Sequence, residues 1–384
     1  MFKSLLQFVR DQYQTHDFIP LHAPVFTGQE RQYVLGAIDS TFVSSVGGYV
    51  DRFERDMAAY TGSAGAVVTV NGTSALHMAL LLAGVRDGDY VITQTLTFVA
   101  TCNAIAYCHA KPIFLDVDRQ RLSLSPVLMD AWLQEHAYVD DDGLCRYRAD
   151  HRVIRACLPM HTFGHPADLD GLIDVSHRWG LQLVEDAAES LGSLYKGRHT
   201  GTLGSFGILS FNGNKIITTG GGGMILTSAE QAVRAKHLTT TAKKPHAYAY
   251  CHDEIGFNYR MPNLNAAMGC AQLEQLDTFI ANKRLLAQRY AQFFKSSPMQ
   301  FVTEPVDGVS NYWLNAVVCE DSQQRDALLD ATNKAGVMTR PVWEPMHHLP
   351  MFHQAPTGPL ENTEWLTARL VNLPSSVVPG DVHA

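Results

Sequence analysis

The chain has 384 residues, 46% of them hydrophobic and 18% charged, with a formal net charge of −8 at neutral pH. This composition suits a globular protein with one main core and a second lobe, and the acidic balance argues against a nucleic-acid or anionic-membrane partner. No apolar run is long enough to span a bilayer, and seventeen histidines and seven cysteines form neither H-E-x-x-H nor a Cys/His cluster, so no metal site is expected.

The opening M-F-K-S-L-L-Q-F-V-R-D reads as an amphipathic helix that becomes charged too early for a secretory signal. The cysteines are scattered and odd in number, as for reduced, mostly buried thiols of a cytoplasmic protein. From Val67 to Leu226, apolar β-branched runs alternate with helical patterns. A-V-V-T-V (66–70), Y-V-I-T (90–93), P-I-F-L-D-V (112–117), V-I-R-A-C-L (153–158) and L-Q-L-V-E-D (181–186) are strands. Helices follow at 74–83 and through F-V-A-T-C-N-A-I-A-Y. Strands that are apolar on both faces and separated by helices imply an α/β fold with a mostly parallel sheet, whose ligands gather beyond the strands' carboxyl ends. The polar, aperiodic stretch 135–152 predicts an inserted hairpin or loop. Helical period then holds for some thirty residues from Met261, which predicts one long helix that joins two lobes or supports a dimer. A strand-like N-Y-W-L-N-A-V-V-C and a helix at 322–335 follow. The change of pattern divides the chain into a large domain, 1–250, with an N-terminal helical segment, and a smaller C-terminal α/β lobe, 251–384.

The strand exits carry the chemistry. V-N-G-T-S-A-L-H places Gly72, Thr73 and Ser74 at a helix N-terminus, where free amides bind phosphate, although an ordinary N-cap reads the same way. Phe98 stands at the next exit, as a core residue or as a flat surface for a ring. Glu185 and Asp186 end an apolar strand. One is a cap or ion-pair partner, and the other faces the site, where a carboxylate keeps a ring nitrogen protonated. S-F-N-G-N-K-I-I-T-T-G-G-G-G fails the G-x-x-x-x-G-K-[ST] test, since Ile216 follows Lys215 and no helix begins there. Lys215 lies among apolar neighbours. Burial lowers a lysine's pKa and suits it to Schiff-base chemistry, while a snorkelling hairpin lysine is the ordinary alternative. A phosphate cradle, a stacking aromatic, a strand-end aspartate and a buried lysine are together what pyridoxal 5'-phosphate requires, with Ser210 as a further phosphate donor.

On these segments the sequence resembles the DegT/DnrJ/EryC/StrS sugar-nucleotide aminotransferases, of the aspartate-aminotransferase-like type I fold, from F-I-P-L-H-A-P (18–24) to N-L-P-S-S-V (372–377). The resemblance implies phosphate contacts from Thr73, Ser74 and Ser210, a ring stacked on Phe98, Asp186 on the pyridine nitrogen and Lys215 as the Schiff-base residue. It implies that Asn258, in G-F-N-Y-R-M-P-N, reaches the phosphate of a neighbouring subunit, hence a homodimer with shared active sites. Glu189 departs from the family's usual glutamine or histidine. A carboxylate beside the cofactor's phenolic oxygen needs a shared proton or a different geometry. Relatives that remove a hydroxyl replace the lysine, so retention of Lys215 implies amino transfer, with pyridoxamine phosphate as the carrier form and L-glutamate as donor. S-T-F-V-S-S-V-G-G-Y-V-D-R-F-E (40–54), M-H-T-F-G-H-P (160–166) and L-T-T-T-A-K-K-P-H (238–246) are similar to the branch that aminates UDP-4-keto-6-deoxy-N-acetylglucosamine, a step toward bacterial surface glycans such as O-antigens. His347 matches the family's sugar-side histidine. Ser44 lies in a turn before glycines, where it faces the sugar from a partner chain. Lys244, beside Lys243, faces the pyrophosphate or is simply solvated. A dTDP- or GDP-linked keto sugar, an ATP-binding enzyme built on the Gly/Lys segment, and a non-catalytic cofactor-binding sensor are the alternatives.

Overall fold

The computed structural model describes residues 2–379. Its main sheet has seven strands, in spatial order Gly65–Thr69, Gly223–Thr227, Phe206–Ser210, Gln182–Asp186, Ile154–Leu158, Tyr90–Gln94 and Lys111–Leu115. Four neighbouring pairs are parallel, and only Gly223–Thr227 runs against both of its neighbours. The carboxyl ends of the other six strands therefore share one edge of the sheet, which also receives the amino end of the reversed strand at Gly223. These strands read as continuous apolar runs because helices cover both faces. One side packs Val67, Leu76, Ala79 and Ile208 into one cluster, and the other packs Ile92, Ile113, Leu133 and Leu172.

The expected hairpin forms from Ala137–Val139 and Cys145–Tyr147, paired antiparallel. The expected long helix is broken. Asn263–Leu273 ends where the Gln275 N–H turns back three residues to Gln272 O, and Leu276–Phe294 starts anew. The Gln275 side chain donates to Glu30 Oε1 at 2.7 Å, which anchors the break. The first piece packs on helices Glu30–Asp39 and Gly48–Thr61. The second piece carries Leu286, Tyr290 and Phe294 into the C-terminal lobe.

That lobe holds a four-stranded sheet in the order Gln300–Phe301, Asn315–Val318, Leu370–Leu373, Arg340–Pro341. The N-terminal helix Phe2–Tyr13 joins it from the other end of the chain. Leu5, Val9 and Tyr13, four residues apart, form one buried stripe against Leu286, Tyr290, Leu328 and Val371. Tyr13 Oη donates to Ser376 O at 3.0 Å and fixes the helix there. No described helix is long and apolar enough to cross a membrane.

Candidate active site

A cavity of about 340 Å³ opens at the shared carboxyl edge of the sheet. Gly72, Thr73, Phe98, Asp186, Glu189, Ser210 and Lys215 line it together. They come from four strand exits and the loops beyond them, so the sheet topology gathers residues as far apart as Gly72 and Lys215.

The phosphate end is built by close backbone approach. Asn71 caps helix Gly72–Leu82 and accepts the Ser74 N–H at 2.8 Å. The Ser74 amide is therefore taken by the cap, and Ser74 does not line the cavity. Gly72 and Thr73, the other residues expected there, do line it. A Cβ on Gly72 would lie 3.0 Å from Ser210 Cβ, and one on Gly223 would lie 2.5 Å from Asn71 C and O. Only glycine lets these three chain segments meet. The cradle is thus an N-terminal turn with unfilled amides, a hydroxyl residue beside it and no side chain in the way, which suits a phosphate.

At the other end two acids leave the 182–186 strand in opposite directions. Glu185 is fully buried and turns away, accepting N–H bonds from Gly201, Leu203 and Gly204 at 2.7, 2.7 and 2.6 Å. His161 accepts the Ala167 N–H at Nδ1 and so donates from Nε2 to Glu185 at 3.0 Å. Burial pushes the Glu185 carboxyl up, but His161 and these backbone donors outweigh it, and the group stays below the usual carboxylate range. Asp186 faces the cavity. Thr101 donates to its Oδ2 at 2.7 Å and the Ala188 N–H to its Oδ1 at 3.2 Å. Burial raises the Asp186 carboxyl despite these donors and nearby Lys215, so a cationic ring nitrogen would find a desolvated, oriented counter-charge there.

Lys215 Nζ lies 3.4 Å from Glu189 Oε1 and 4.0 Å from the centre of the Trp313 ring, with its side chain 12% exposed. Glu189 Oε2 accepts the Phe163 N–H at 2.9 Å. Phe163 adopts φ +57°, unusual for a bulky residue, within the T-F-G turn that presents this N–H. Burial drives the Glu189 carboxyl up to about 7, against the pull of Lys215 and Phe163. It can therefore hold a proton near neutrality, as its position beside a phenolic oxygen would require. Phe98 is half exposed at the start of helix Val99–Tyr107, with its ring 6.3 Å from Trp343.

Sequence reasoning did not assign Thr101, Trp313 or Trp343, all of which line the cavity. Thr101 was open to detection, one helical turn beyond Phe98. The tryptophans arrive from the C-terminal lobe and carry no local signal. Asn258, His347, Ser44 and Lys244 do not line the cavity of their own chain. Asn258 Oδ1 accepts from Arg260 Nε at 3.1 Å, and Ser44 O accepts the Asn263 N–H at 2.6 Å. Lys244 is exposed, 3.6 Å from Asp253. His347 sits between Thr95, at the exit of the 90–94 strand, and Glu364.

This sheet, with a lysine, a buried aspartate and a phosphate-ready helix N-terminus around one cavity, defines a pyridoxal-phosphate-dependent aminotransferase. The chain belongs to the DegT/DnrJ/EryC1/StrS aminotransferase family, whose pattern matches residues 25–379. It is 37% identical to the GDP-perosamine synthase of Escherichia coli O157:H7, over 93% of either chain. It is 36% identical to EpsN of Bacillus subtilis, described as a pyridoxal phosphate-dependent aminotransferase, over 88% of this chain and 85% of that one. Among solved structures the aminotransferase TlmJ of Streptoalloteichus hindustanus superposes with a TM-score of 0.85 at 27% identity, covering 95% of this chain and 96% of the other.

Proposed function

We propose that the protein transfers the amino group of L-glutamate to C4 of a nucleotide-linked 4-keto-6-deoxy sugar, most readily the UDP-linked 2-acetamido sugar, giving a UDP-2-acetamido-4-amino-2,4,6-trideoxyhexose for a bacterial surface glycan. The observation that carries amino transfer is Lys215 Nζ itself, inside the cavity and beside Glu189. A lysine there can serve as general base and then as general acid, and its amine can also bond the cofactor's aldehyde.

Bound pyridoxal phosphate supplies an electron sink and an amino carrier. The residues of this chain do the rest. Gly72, Thr73 and Ser210 hold the phosphate end. Asp186, oriented by Thr101, keeps the ring nitrogen protonated. Phe98 and the tryptophans exclude water from the ring. Lys215 would take the proton from the α-carbon of glutamate and, in the second half-reaction, deliver a proton to C4 of the sugar. Glu189 holds or shares the proton on the phenolic side.

A homodimer with shared sites accounts for three of the four residues outside the cavity, Ser44, Lys244 and Asn258. Ser44 adjoins Phe42 and Val46, and Lys244 and Asn258 flank the segment of Tyr248, Tyr250 and Ile255. All five of these apolar residues are more than half exposed on the single chain, as expected of a surface that meets a second copy. In the dimer Asn258 serves the partner's phosphate end, and Ser44 and Lys244 serve its sugar nucleotide. His347 contacts the sugar from its own chain, and the enzyme works in the cytoplasm. The second reading is a GDP-linked keto sugar, which the name of the E. coli relative favours.

A product assay with UDP-, GDP- and dTDP-linked 4-keto-6-deoxy sugars decides among these. The UDP substrate is expected to exceed the others in kcat/KM by at least about tenfold, the size of a modest pocket discrimination. A GDP preference would move the assignment to the second reading. No transfer to any of the three would sink both. A yellow holoenzyme whose colour glutamate does not bleach would instead be a sensor.

A further inference from the structure

A short segment of the C-terminal lobe, 310–314, runs up to the cavity just before the strand Asn315–Val318. Its Trp313 is buried and touches Lys215 at both ends. The indole Nε1 donates to the carbonyl oxygen of Asn214, the residue before the lysine, at 2.7 Å. The face of the same ring lies 4.0 Å from Lys215 Nζ. We propose that Trp313, held in turn by Asn311, is a positioning residue that fixes the Lys215 amine for its bond to the cofactor. The inference rests on the reading of Lys215 as the Schiff-base residue.

A buried indole needs an acceptor for its N–H, and any nearby carbonyl would serve. Here the acceptor is the peptide that carries the lysine, and the ring turns its face to that lysine's own amine. An indole face attracts an ammonium more strongly than other aromatic faces do. A lysine side chain is long and flexible, so its amine keeps one place only where backbone and amine are both held. Glu189 Oε1 completes the hold at 3.4 Å from Nζ.

Trp313 is itself fixed by a residue that does not line the cavity. Asn311 is fully buried. Its Oδ1 accepts the Trp313 N–H at 2.8 Å, two residues on, across Tyr312 at φ +47°. A left-handed φ at a bulky tyrosine is strained and persists only where the surroundings impose it. Asn311 Nδ2 donates to Glu189 O and to Leu191 O, each at 2.9 Å. One side-chain amide therefore ties together Glu189 and Trp313, the two residues that flank the lysine amine. Gly164 leaves room for it, since a Cβ there would collide with Asn311 Oδ1. Gly164 follows Phe163, whose N–H holds the Glu189 carboxylate. The contacts close into a ring that runs from Lys215 to Glu189, Asn311, Trp313 and Asn214, and so back to Lys215. Filling a core asks for no such closure around one amine.

When the lysine bonds pyridoxal phosphate, its neutral amine adds to the aldehyde carbon, the nitrogen gives up both hydrogens and the aldehyde oxygen leaves as water. Pyridoxamine phosphate has no aldehyde and cannot form this bond. The test mixes cofactor-free full-length protein with saturating pyridoxal phosphate and follows the yellow band of the bonded cofactor by stopped flow. Equilibrium dialysis gives the affinity for pyridoxamine phosphate. Trp313→Leu should slow bonding by at least about tenfold more than it weakens pyridoxamine phosphate, because misplacing a reacting atom by about 1 Å costs up to about 10²-fold. Trp313→Phe keeps a flat ring but no N–H and should slow bonding about three- to tenfold, the size of one hydrogen bond. It decides the matter if Trp313→Leu misfolds. A merely structural defect would lower both measures together. Bonding at the wild-type rate or faster in both variants, or a slowing matched by an equal loss of pyridoxamine phosphate affinity, would overturn the proposal. Lys215→Ala separates the two readings. If that variant shows no bonded band, wild-type behaviour of the Trp313 variants removes the clamp alone. A bonded band in Lys215→Ala would remove the reading of the lysine and this inference with it.

Discussion

Glu189 Oε1 and Lys215 Nζ face each other across 3.4 Å, while the other oxygen of Glu189 takes the backbone N–H of Phe163. The carboxylate is therefore both buried and fixed, and burial drives its pKa from the ordinary 4.5 up to about 7. In the unfolded chain the group loses its proton near 4.5, but in the native protein it loses it near 7. The native state thus binds more protons between these values. Stability contributed by this group is fully present below about pH 4.5 and is lost as pH rises through 7. Glu189→Gln removes the titration, so the cofactor-free variant should gain stability over the wild type as pH rises from 5 to 8, by up to about 3 kcal/mol. Urea midpoints at four pH values check this. Parallel curves for the two proteins would refute the assigned environment.

Lys215→Ala should lower amino transfer by more than about 10³-fold, since it removes the group proposed to move the proton. Cofactor binding should persist, because the cradle at Gly72 and the carboxylate of Asp186 remain. Single-turnover spectra with added glutamate report the two effects separately. Turnover near the wild-type rate would end the assignment of this lysine.

Asp186→Asn keeps the size of the side chain and a hydrogen-bonding partner for Thr101, yet removes the charge. A loss of about 10²–10⁴-fold in kcat is expected, because a neutral amide cannot hold the ring nitrogen protonated. Thr101→Val tests the same point more gently. It removes one hydrogen bond of 2.7 Å to a charged acceptor, a cost of about 1.5–3 kcal/mol or roughly 10–100-fold in rate. A change in cofactor affinity with kcat intact would place Asp186 in binding alone.

The sequence exposed the sheet because its strands are short apolar runs, and the observed limits differ from the expected ones by one or two residues, as at Gly65–Thr69 against 66–70. It exposed the strand-exit residues for a related reason. In a parallel sheet, chain position after a strand is position at the ligand edge, so Asp186 and Ser210 declare themselves locally. Other features were not local. The reversal of Gly223–Thr227 depends on pairing with two strands distant in sequence. The break at Gln275 depends on Glu30, which lies 245 residues away. Trp313 reaches Lys215 only once the C-terminal lobe has folded onto the sheet. Alternation puts the two acids of E-D on opposite faces without saying which turns inward; the family resemblance singles out Asp186, and it is Asp186 that lines the cavity.

Gly223→Ala tests whether the glycine run shapes the cradle. Its Cβ would come within 2.5–2.6 Å of backbone atoms of Asn71 and Gly72, which cannot move without shifting the helix N-terminus. Destabilisation of about 1–3 kcal/mol is expected from overpacking. Cofactor affinity should fall with it, by about tenfold or more. Gly221→Ala is the control, with nothing within 4 Å of the added carbon. Equilibrium dialysis of the cofactor against both variants gives the comparison. Equal affinity in the two would mean that the close approach does not set the phosphate end.

Shared active sites are tested by mixing two inactive variants. Lys215→Ala removes the catalytic amine, and Asn258→Ala removes the side chain proposed to serve the partner's phosphate end. If a site takes Lys215 from one chain and Asn258 from the other, a mixed dimer holds one doubly damaged site and one intact site. Random reassociation makes half of all dimers mixed, so the mixture should recover about a quarter of wild-type activity. If both residues act within one chain, every site in every dimer carries one defect and mixing restores nothing. Among the described residues the Asn258 side chain meets Arg260 alone, through Oδ1, which leaves its amide nitrogen available across an interface. Activity that stays at the level of the two separate variants after unfolding and co-refolding would overturn the sharing of sites through Asn258.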